Sequence, residues 1–385
     1  MKRLVLLGAS GSIGLQTIDV VLSHPDEYSL RALGVGNNID ALRKILEKVS
    51  VDTVSVSKAE DAEKLAKEYP AIRFLSGEEA LVEMARLDGY DVLVNALVGF
   101  AGFRPTVAAI ESGHDVALAN KETLVVGGEI VYEALRRCGR KLYPIDSEHS
   151  AIFQALQGND PASVRKLIIT ASGGSFRNLT REQLKDVTVE QALAHPNWNM
   201  GAKITIDSAD MMNKGFEVIE AHWLFDMDYD RIEVVMHDES VIHSMVEYCD
   251  GSIIAQMGTA DMRLPIQYAL SWPQRLERKD GPFLDLAAIG TLHFRKPDVR
   301  RFPLLSLAYE AGRKGGNLTA VMNAANEAAN LAFRQKRIPF TAIEDIVITA
   351  VNKVPFEKVT CAEDLIRADA WGRDFAEDMI RRIGG

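Results

Sequence analysis

The 385-residue chain has three cysteines, Cys138, Cys249 and Cys361, far apart and in no CxxC pair. That excludes a cysteine-built metal centre and points to a reducing compartment rather than a disulfide framework. Positive charge is in short supply: 44 Lys and Arg against 54 Asp and Glu leave a net charge of −10. Nucleic acid demands the opposite sign, so it is set aside as a partner. No apolar stretch approaches the roughly 18–20 residues of a membrane span. The run Leu4–Leu7 behind the basic start is too short for a secretory signal. A cytoplasmic location without membrane attachment is therefore expected. Internal repeats and low-complexity tracts are also missing.

What is present fits a globular chain of two or three domains, since one domain usually takes about 100–200 residues. Up to residue 146, short apolar runs alternate with amphipathic segments. "RLVLLG", "YSLRALGVG", "DTVSVS", "DVLVNALVG", "DVALAN" and "KLYPID" read as strands, and "DALRKILEKV" and "AEDAEKLAKEY" as helices. This alternation predicts an α/β domain with a Rossmann-like, doubly wound parallel sheet over 1–149. Beyond it, "RKLIITASGG", "RIEVVMH", "VIHSMVEYC" and "SIIAQMG" read as strands of a central α+β domain, 150–280. The last three follow closely, with Asp250–Gly251 as a turn, and suggest antiparallel pairing. A proline-bearing, charged arm is expected at 281–305. A C-terminal helical bundle follows at 306–385, with Gly315, Gly316 and Pro339 separating its helices.

Two stretches carry chemistry. "GASGSIG" (8–14) follows the first strand and opens a helix, spacing Gly8, Gly11 and Gly14 as GxxGxxG. Glycines there let backbone approach a pyrophosphate at a helix N-terminus, and Ser10 and Ser12 add hydroxyl donors. The acid that NAD sites place at the end of the second strand is missing. Gly36, Asn37 and Asn38 stand there instead, which leans toward NADP, although the nearest basic residues are Arg43 and Lys44 on the next helix. The second stretch is "PIDSEH" (144–149). If it is extended, Asp146 and Glu148 share a face, an arrangement that suits a hard divalent cation. A third carboxylate lies in "HPNWNMGAKITIDSADMMNKGFEVIEAHW" (195–223), where Ser208, Asn213 and Lys214 are the types that hold a phosphate. A helix starting within Met211–Glu217 puts Asn213 and Glu217 on one face.

Together with "ALANKETLV", "PIDSEHSAIFQ", "TASGGSFR", "MGTADMRLPIQYAL" and "NAANEAA", these stretches occur in an order that resembles the 1-deoxy-D-xylulose 5-phosphate reductoisomerases of the non-mevalonate isoprenoid pathway. The resemblance covers nearly the whole chain. It implies NADPH, a divalent cation (Mg²⁺, Mn²⁺ or Co²⁺), a sugar-phosphate substrate and a homodimer. Asp146, Glu148 and Glu217 match the metal ligands. Lys121, Ser147, Ser172, His195, Trp198, Ser208, Asn213 and Lys214 match substrate contacts, with Lys121, His195 and Lys214 joining the acids as catalytic residues. Ser10, Gly11, Ser12, Ile13, Gly36, Asn37, Asn38, Asn120, Glu122 and Gly201 match positions that line NADPH. His195 would open a flap that Trp198 and Met200 close over the ligand. One departure stands out: many relatives carry a basic residue near Asn37. His149 and His243 read as structural, and "NAANE" as helix packing through small residues. The resemblance leaves open whether carbon migrates by retro-aldol/aldol steps or by a ketol shift.

Two other readings compete. A semialdehyde or glyceraldehyde-phosphate type dehydrogenase needs a nucleophilic cysteine, and "RRCGR", "EYCDG" and "VTCAE" do not resemble its loop. A non-enzymatic NADP sensor would need no carboxylate trio.

Overall fold

The computed structural model describes residues 1–279 and 281–384. Asp280 and Gly385, the last residues of the expected central and C-terminal domains, lie outside the described residues. The chain forms two compact units. The first comprises Met1–Thr123, Glu129–Ser150 and Asp261–Gly281, the second Leu124–Gly128, Ala151–Ala260 and Pro282–Gly385.

The first unit is built on seven parallel strands: β1 (Lys2–Leu7), β2 (Tyr28–Gly34), β3 (Thr53–Val56), β4 (Arg73–Ser76), β5 (Val92–Asn95), β6 (Asp115–Leu118) and β7 (Leu142–Pro144). Their order is β4-β3-β2-β1-β5-β6-β7. β1 pairs with β2 on one side and β5 on the other, and Leu4 to Leu7 are fully buried. Such two-sided burial explains why these strands read as continuous apolar runs. The chain winds outward in one direction from β1 to β4 and in the other from β5 to β7. The crevice beyond the carboxyl ends of β1 and β5 is thus the switch point where doubly wound sheets take ligands. The helix Arg263–Ser271 belongs to this unit: Lys2 Nζ donates to Leu270 O (2.7 Å), and Gln267 Oε1 meets His24 Nε2 (3.0 Å).

The second unit has a four-stranded sheet of β8 (Val164–Ala171), β9 (Ile232–Met236), β10 (Ile242–Tyr248) and β11 (Ile253–Met257), in the order β11-β10-β8-β9. This corrects the expected run of three antiparallel strands. Only β10 and β11 pair that way in sequence, while β9 lies parallel to β8, which separates it from β10. β8 is buried from Leu167 to Ala171 and takes the inner place that its continuous apolar run suits. The helices Pro303–Lys314, Leu318–Arg334, Thr341–Lys353 and Ala362–Gly384 complete the unit. Small residues let them close up. A Cβ on Gly372 would come 2.9 Å from Ala324 Cβ, so the "NAANE" segment packs as expected.

Candidate active site: a nucleotide loop, an acid pair and a phosphate pocket

In the first unit the loop after β1 is held from below. The Gly8 and Ala9 amides both donate to Gly34 O at the end of β2 (3.0 and 2.8 Å). Gly8 has φ +83°, and a Cβ on it would lie 2.4 Å from Ala96 O; one on Gly14 would lie 2.2 Å from Gly8 O. Both positions therefore require glycine. The helix Ser12–Ser23 starts from Gly11 with no side-chain cap and no acid in its first turn. Its leading amides are left for an anion, so the loop fits a dinucleotide pyrophosphate.

Beside it, Asn120 caps the helix Lys121–Cys138, its Oδ1 accepting from the Thr123 amide (3.0 Å) while its Nδ2 donates to Gly99 O (2.9 Å). That cap fixes the first turn, where Lys121 and Glu122 are buried. Lys121 Nζ forms an ion pair with Asp146 Oδ2.

"PIDSEH" is not extended. A helix begins at Ser147 and runs to Ala155. Asp146 behaves as its N-cap, Oδ1 accepting from the Glu148 amide (3.1 Å), and this cap outcompetes a strand. The two acids are therefore two residues apart across a helix start rather than on one strand face. Ser147 Oγ donates to Glu148 Oε2 (2.5 Å). His149 is fully buried, and its Nδ1 lies 3.0 Å from Asp146 Oδ1, which supports the structural reading of this histidine.

The second unit gathers the residues matched to phosphate binding. Ser172 follows β8, and its Oγ lies 3.0 Å from His195 Nε2. His195 Nδ1 accepts from the Asn197 and Trp198 amides (3.2 and 3.0 Å), which leaves the ring proton on Nε2 to donate to Ser172. Trp198 Nε1 donates to Ser240 Oγ (3.0 Å), and its ring lies 5.7 Å from that of His243. Gly174, at φ +65°, lets the Ser172 turn approach the end of the helix Ala202–Ala209; a Cβ there would sit 2.4 Å from Ser208 O.

Past that end, Met211 adopts a left-handed conformation (φ 65°) and the helix Met212–Phe225 begins. It carries Asn213, Lys214 and Glu217 on one face, as the spacing predicts. Asn213 Nδ2 donates to Glu217 Oε1 (2.6 Å), and Lys214 Nζ pairs with Glu217 Oε2. Lys214 and Glu217 are 5% and 1% exposed, so their ion pair lies out of water.

Asp210 was not singled out in the sequence. It is buried, its Oδ1 accepts from the Met212 amide (2.9 Å), and burial followed by the nearby Asp207 raises its carboxyl well above the usual range. Asp207 itself accepts from Lys203 (2.9 Å), Asn326 (2.9 Å) and Asn330 (2.7 Å). Asn326 and Asn330 are more than a hundred residues away, so no local pattern reveals this arrangement.

Three family descriptions match along the chain: 1-deoxy-D-xylulose 5-phosphate reductoisomerase over residues 4–128, its C-terminal domain over 142–225, and a DXP reductoisomerase C-terminal domain over 257–375. A reductoisomerase of that name from Geobacillus sp. (strain WCH70) is 53% identical over 381 residues, 99% of this chain and 100% of the relative. The chain belongs to the 1-deoxy-D-xylulose 5-phosphate reductoisomerase family. A second relative of the family, from Bacillus cereus (strain ZK / E33L), is 52% identical over 99% of this chain and all of its own length. Among solved structures of the family, the Zymomonas mobilis enzyme in complex with NADPH superimposes with a TM-score of 0.92 at 40% identity, covering 98% of this chain and 99% of that one. A DOX-P reductoisomerase with NADPH, fosmidomycin and magnesium gives 0.94 at 38% identity, with 99% and 98% covered.

Proposed function

We propose that this chain is a working reductoisomerase, converting 1-deoxy-D-xylulose 5-phosphate to 2-C-methyl-D-erythritol 4-phosphate with NADPH and a divalent cation. The ketose phosphate's carbon skeleton is rearranged and the resulting aldehyde is reduced by hydride. Family membership over essentially the full chain carries this reading.

The residues take the following roles. Asp146, Glu148 and Glu217 hold the cation. All three are hard oxygen donors, the type that Mg²⁺, Mn²⁺ and Co²⁺ accept. Without a cation, Lys121 balances Asp146 and Lys214 balances Glu217, as buried carboxylates require. When bound, the cation supplies Lewis-acid polarisation of the substrate's carbonyl and neighbouring hydroxyl. Ser172, Ser208, Asn213 and Lys214 anchor the phosphate, a group remote from the reacting carbons whose binding energy orients the sugar. His195, kept in its Nε2–H form, positions Ser172. Trp198 and Met200 cover the bound substrate and exclude water, which protects the aldehyde. Ser10, Gly11, Ser12, Ile13, Gly36, Asn37, Asn38, Asn120, Glu122 and Gly201 line NADPH, and Lys121 and Ser147 contact the sugar.

The chain acts as a homodimer in the cytoplasm. β11, the outer strand of its sheet, leaves Ile253 and Ile254 52% and 41% exposed, and the arm beyond residue 281 exposes Phe283 and Leu286. A second copy would cover such an edge. Among the described residues no helix is long and apolar enough to cross a membrane. Light scattering that returned the mass of one chain would remove the dimer. The function is tested by following NADPH oxidation on 1-deoxy-D-xylulose 5-phosphate with and without chelator. Oxidation that stops with chelator and returns with Mg²⁺ or Mn²⁺ supports it; no oxidation with any metal refutes it.

A further inference from the structure

Asn37 and Asn38, at the end of the second strand, carry no charge, so the extra phosphate of NADPH needs a cation from elsewhere. The helix after β2, Ile39–Leu46, does not supply an available arginine. Arg43 donates to Glu68 through Nε and Nη2 (3.1 and 2.9 Å) and to Asp40 through Nη1 (3.3 Å). Asn38 is also engaged, its Oδ1 accepting from the Ala41 amide (3.1 Å).

The neighbouring strand offers the missing charge. β3 runs parallel to β2 with Ala32 opposite Thr53, Leu33 opposite Val54 and Gly34 opposite Ser55. The pairing continues past both strands, where the Val35 amide donates to Ser55 O (2.9 Å) and the Ser57 amide to Gly36 O (3.3 Å). Ser57 therefore lies beside Gly36, and a Cβ on Gly36 would sit 3.8 Å from Ser57 Oγ. Lys58 is the next residue in the chain and stands as the N-cap of the helix Ala59–Glu68. Both Ser57 and Lys58 are exposed, and among the described residues neither side chain is engaged in an ion pair or hydrogen bond. Glu60 and Asp61 occupy the first turn of the following helix, Ala59–Glu68, and offset its dipole. The helix end is thereby a poor source of countercharge for a phosphate, and the Lys58 ammonium is the cation nearest in sequence to Ser57.

We propose that Lys58, assisted by the Ser57 hydroxyl, recognises the ribose 2′-phosphate and so makes this chain select NADPH over NADH. The proposal rests on the NADPH-dependent activity above, and Lys58 does in it what a basic residue at position 37 would do. Phosphate holds a compact ammonium on a flexible stem well, so the lysine can serve from the adjacent strand.

Calorimetric titration with adenosine 2′,5′-bisphosphate and with adenosine 5′-monophosphate reads this contact without turnover. Lys58→Ala is expected to weaken the bisphosphate about tenfold, roughly 1.4 kcal/mol, and to leave the monophosphate unchanged. In steady state the KM for NADPH should rise by about the same factor while kcat and the KM for NADH hold. Lys44→Ala, on the helix after β2, should change neither ligand. Wild-type affinity for the bisphosphate in Lys58→Ala, equal loss of both nucleotides, or loss of the bisphosphate in Lys44→Ala would each overturn the assignment. A wild-type enzyme that oxidises NADH as readily as NADPH would instead overturn the cofactor reading on which it stands.

Discussion

Gly14→Ala is the substitution whose outcome the structure determines most sharply. The new Cβ would lie 2.2 Å from Gly8 O and 2.6 Å from Ala9 C and Cα, all backbone atoms. Ordinary contact needs roughly 3.4 Å or more, so the loop or the helix must move by about 1 Å. The loop is held by its two amide bonds to Gly34 O, at 3.0 and 2.8 Å. The helix Ser12–Ser23 therefore gives way, and its leading amides tilt from the pyrophosphate position. Overpacking of this kind costs about 1–3 kcal/mol. Where the strain falls on the binding amides, the NADPH dissociation constant should rise roughly 10- to 100-fold, or about 1.4–2.8 kcal/mol. Fluorescence titration with NADPH measures this, and a thermal melt locates any remainder in the fold. A Gly14→Ala protein that binds NADPH within about twofold of wild type and melts at the same temperature would refute the reasoning.

Two further substitutions test the second unit. Lys214→Ala removes the proposed phosphate anchor and takes the Lys214 ammonium from the buried Glu217; the KM for the sugar phosphate should rise and stability should fall by up to about 3 kcal/mol. An unchanged KM would place the phosphate pocket elsewhere. Asp210→Asn keeps the acceptor for the Met212 amide but cannot ionise. Because the folded carboxyl is raised by burial and by Asp207, its contribution to stability is intact below the ordinary aspartate value and is lost as pH rises through the raised one. The variant should therefore melt higher than wild type at pH 8, by an amount that shrinks toward pH 5. A difference independent of pH would show that Asp210 is not the titrating group.

Most elements were legible because each met a local rule. The runs behind β1, β2 and β5 to β11 are apolar and bounded by turns, and the bundle helices carry their own punctuation in Gly315, Gly316 and Pro339. β4 was missed because Arg73–Ser76 is a half-exposed edge strand with no alternating pattern. "PIDSEH" was misjudged because a charge alternation was weighed as strand geometry, while aspartate before Ser-Glu is also a helix start. The β9–β10 neighbourhood was not legible because which strand lies between two others depends on burial across the whole sheet. The same limit hid Ser57, which meets Gly36 only because β2 and β3 run side by side. It also hid Asp207, whose partners Asn326 and Asn330 come from the helix Leu318–Arg334. The acids, the candidate phosphate-binding residues and the glycine loop could be singled out in the sequence because their residue types are specific even where their geometry is not.

The central claim is that Asp146, Glu148 and Glu217 together hold one divalent cation. Glu217→Gln should lower turnover by at least roughly 100-fold, the scale of losing one electrostatic stabiliser. The direct measurement is a titration with Mn²⁺ in which the paramagnetic resonance of the free ion is counted for the wild type and for Asp146→Asn, Glu148→Gln and Glu217→Gln. The account predicts one tightly bound ion per wild-type chain and marked loss of it in each variant. Wild-type Mn²⁺ affinity in Glu217→Gln would contradict it.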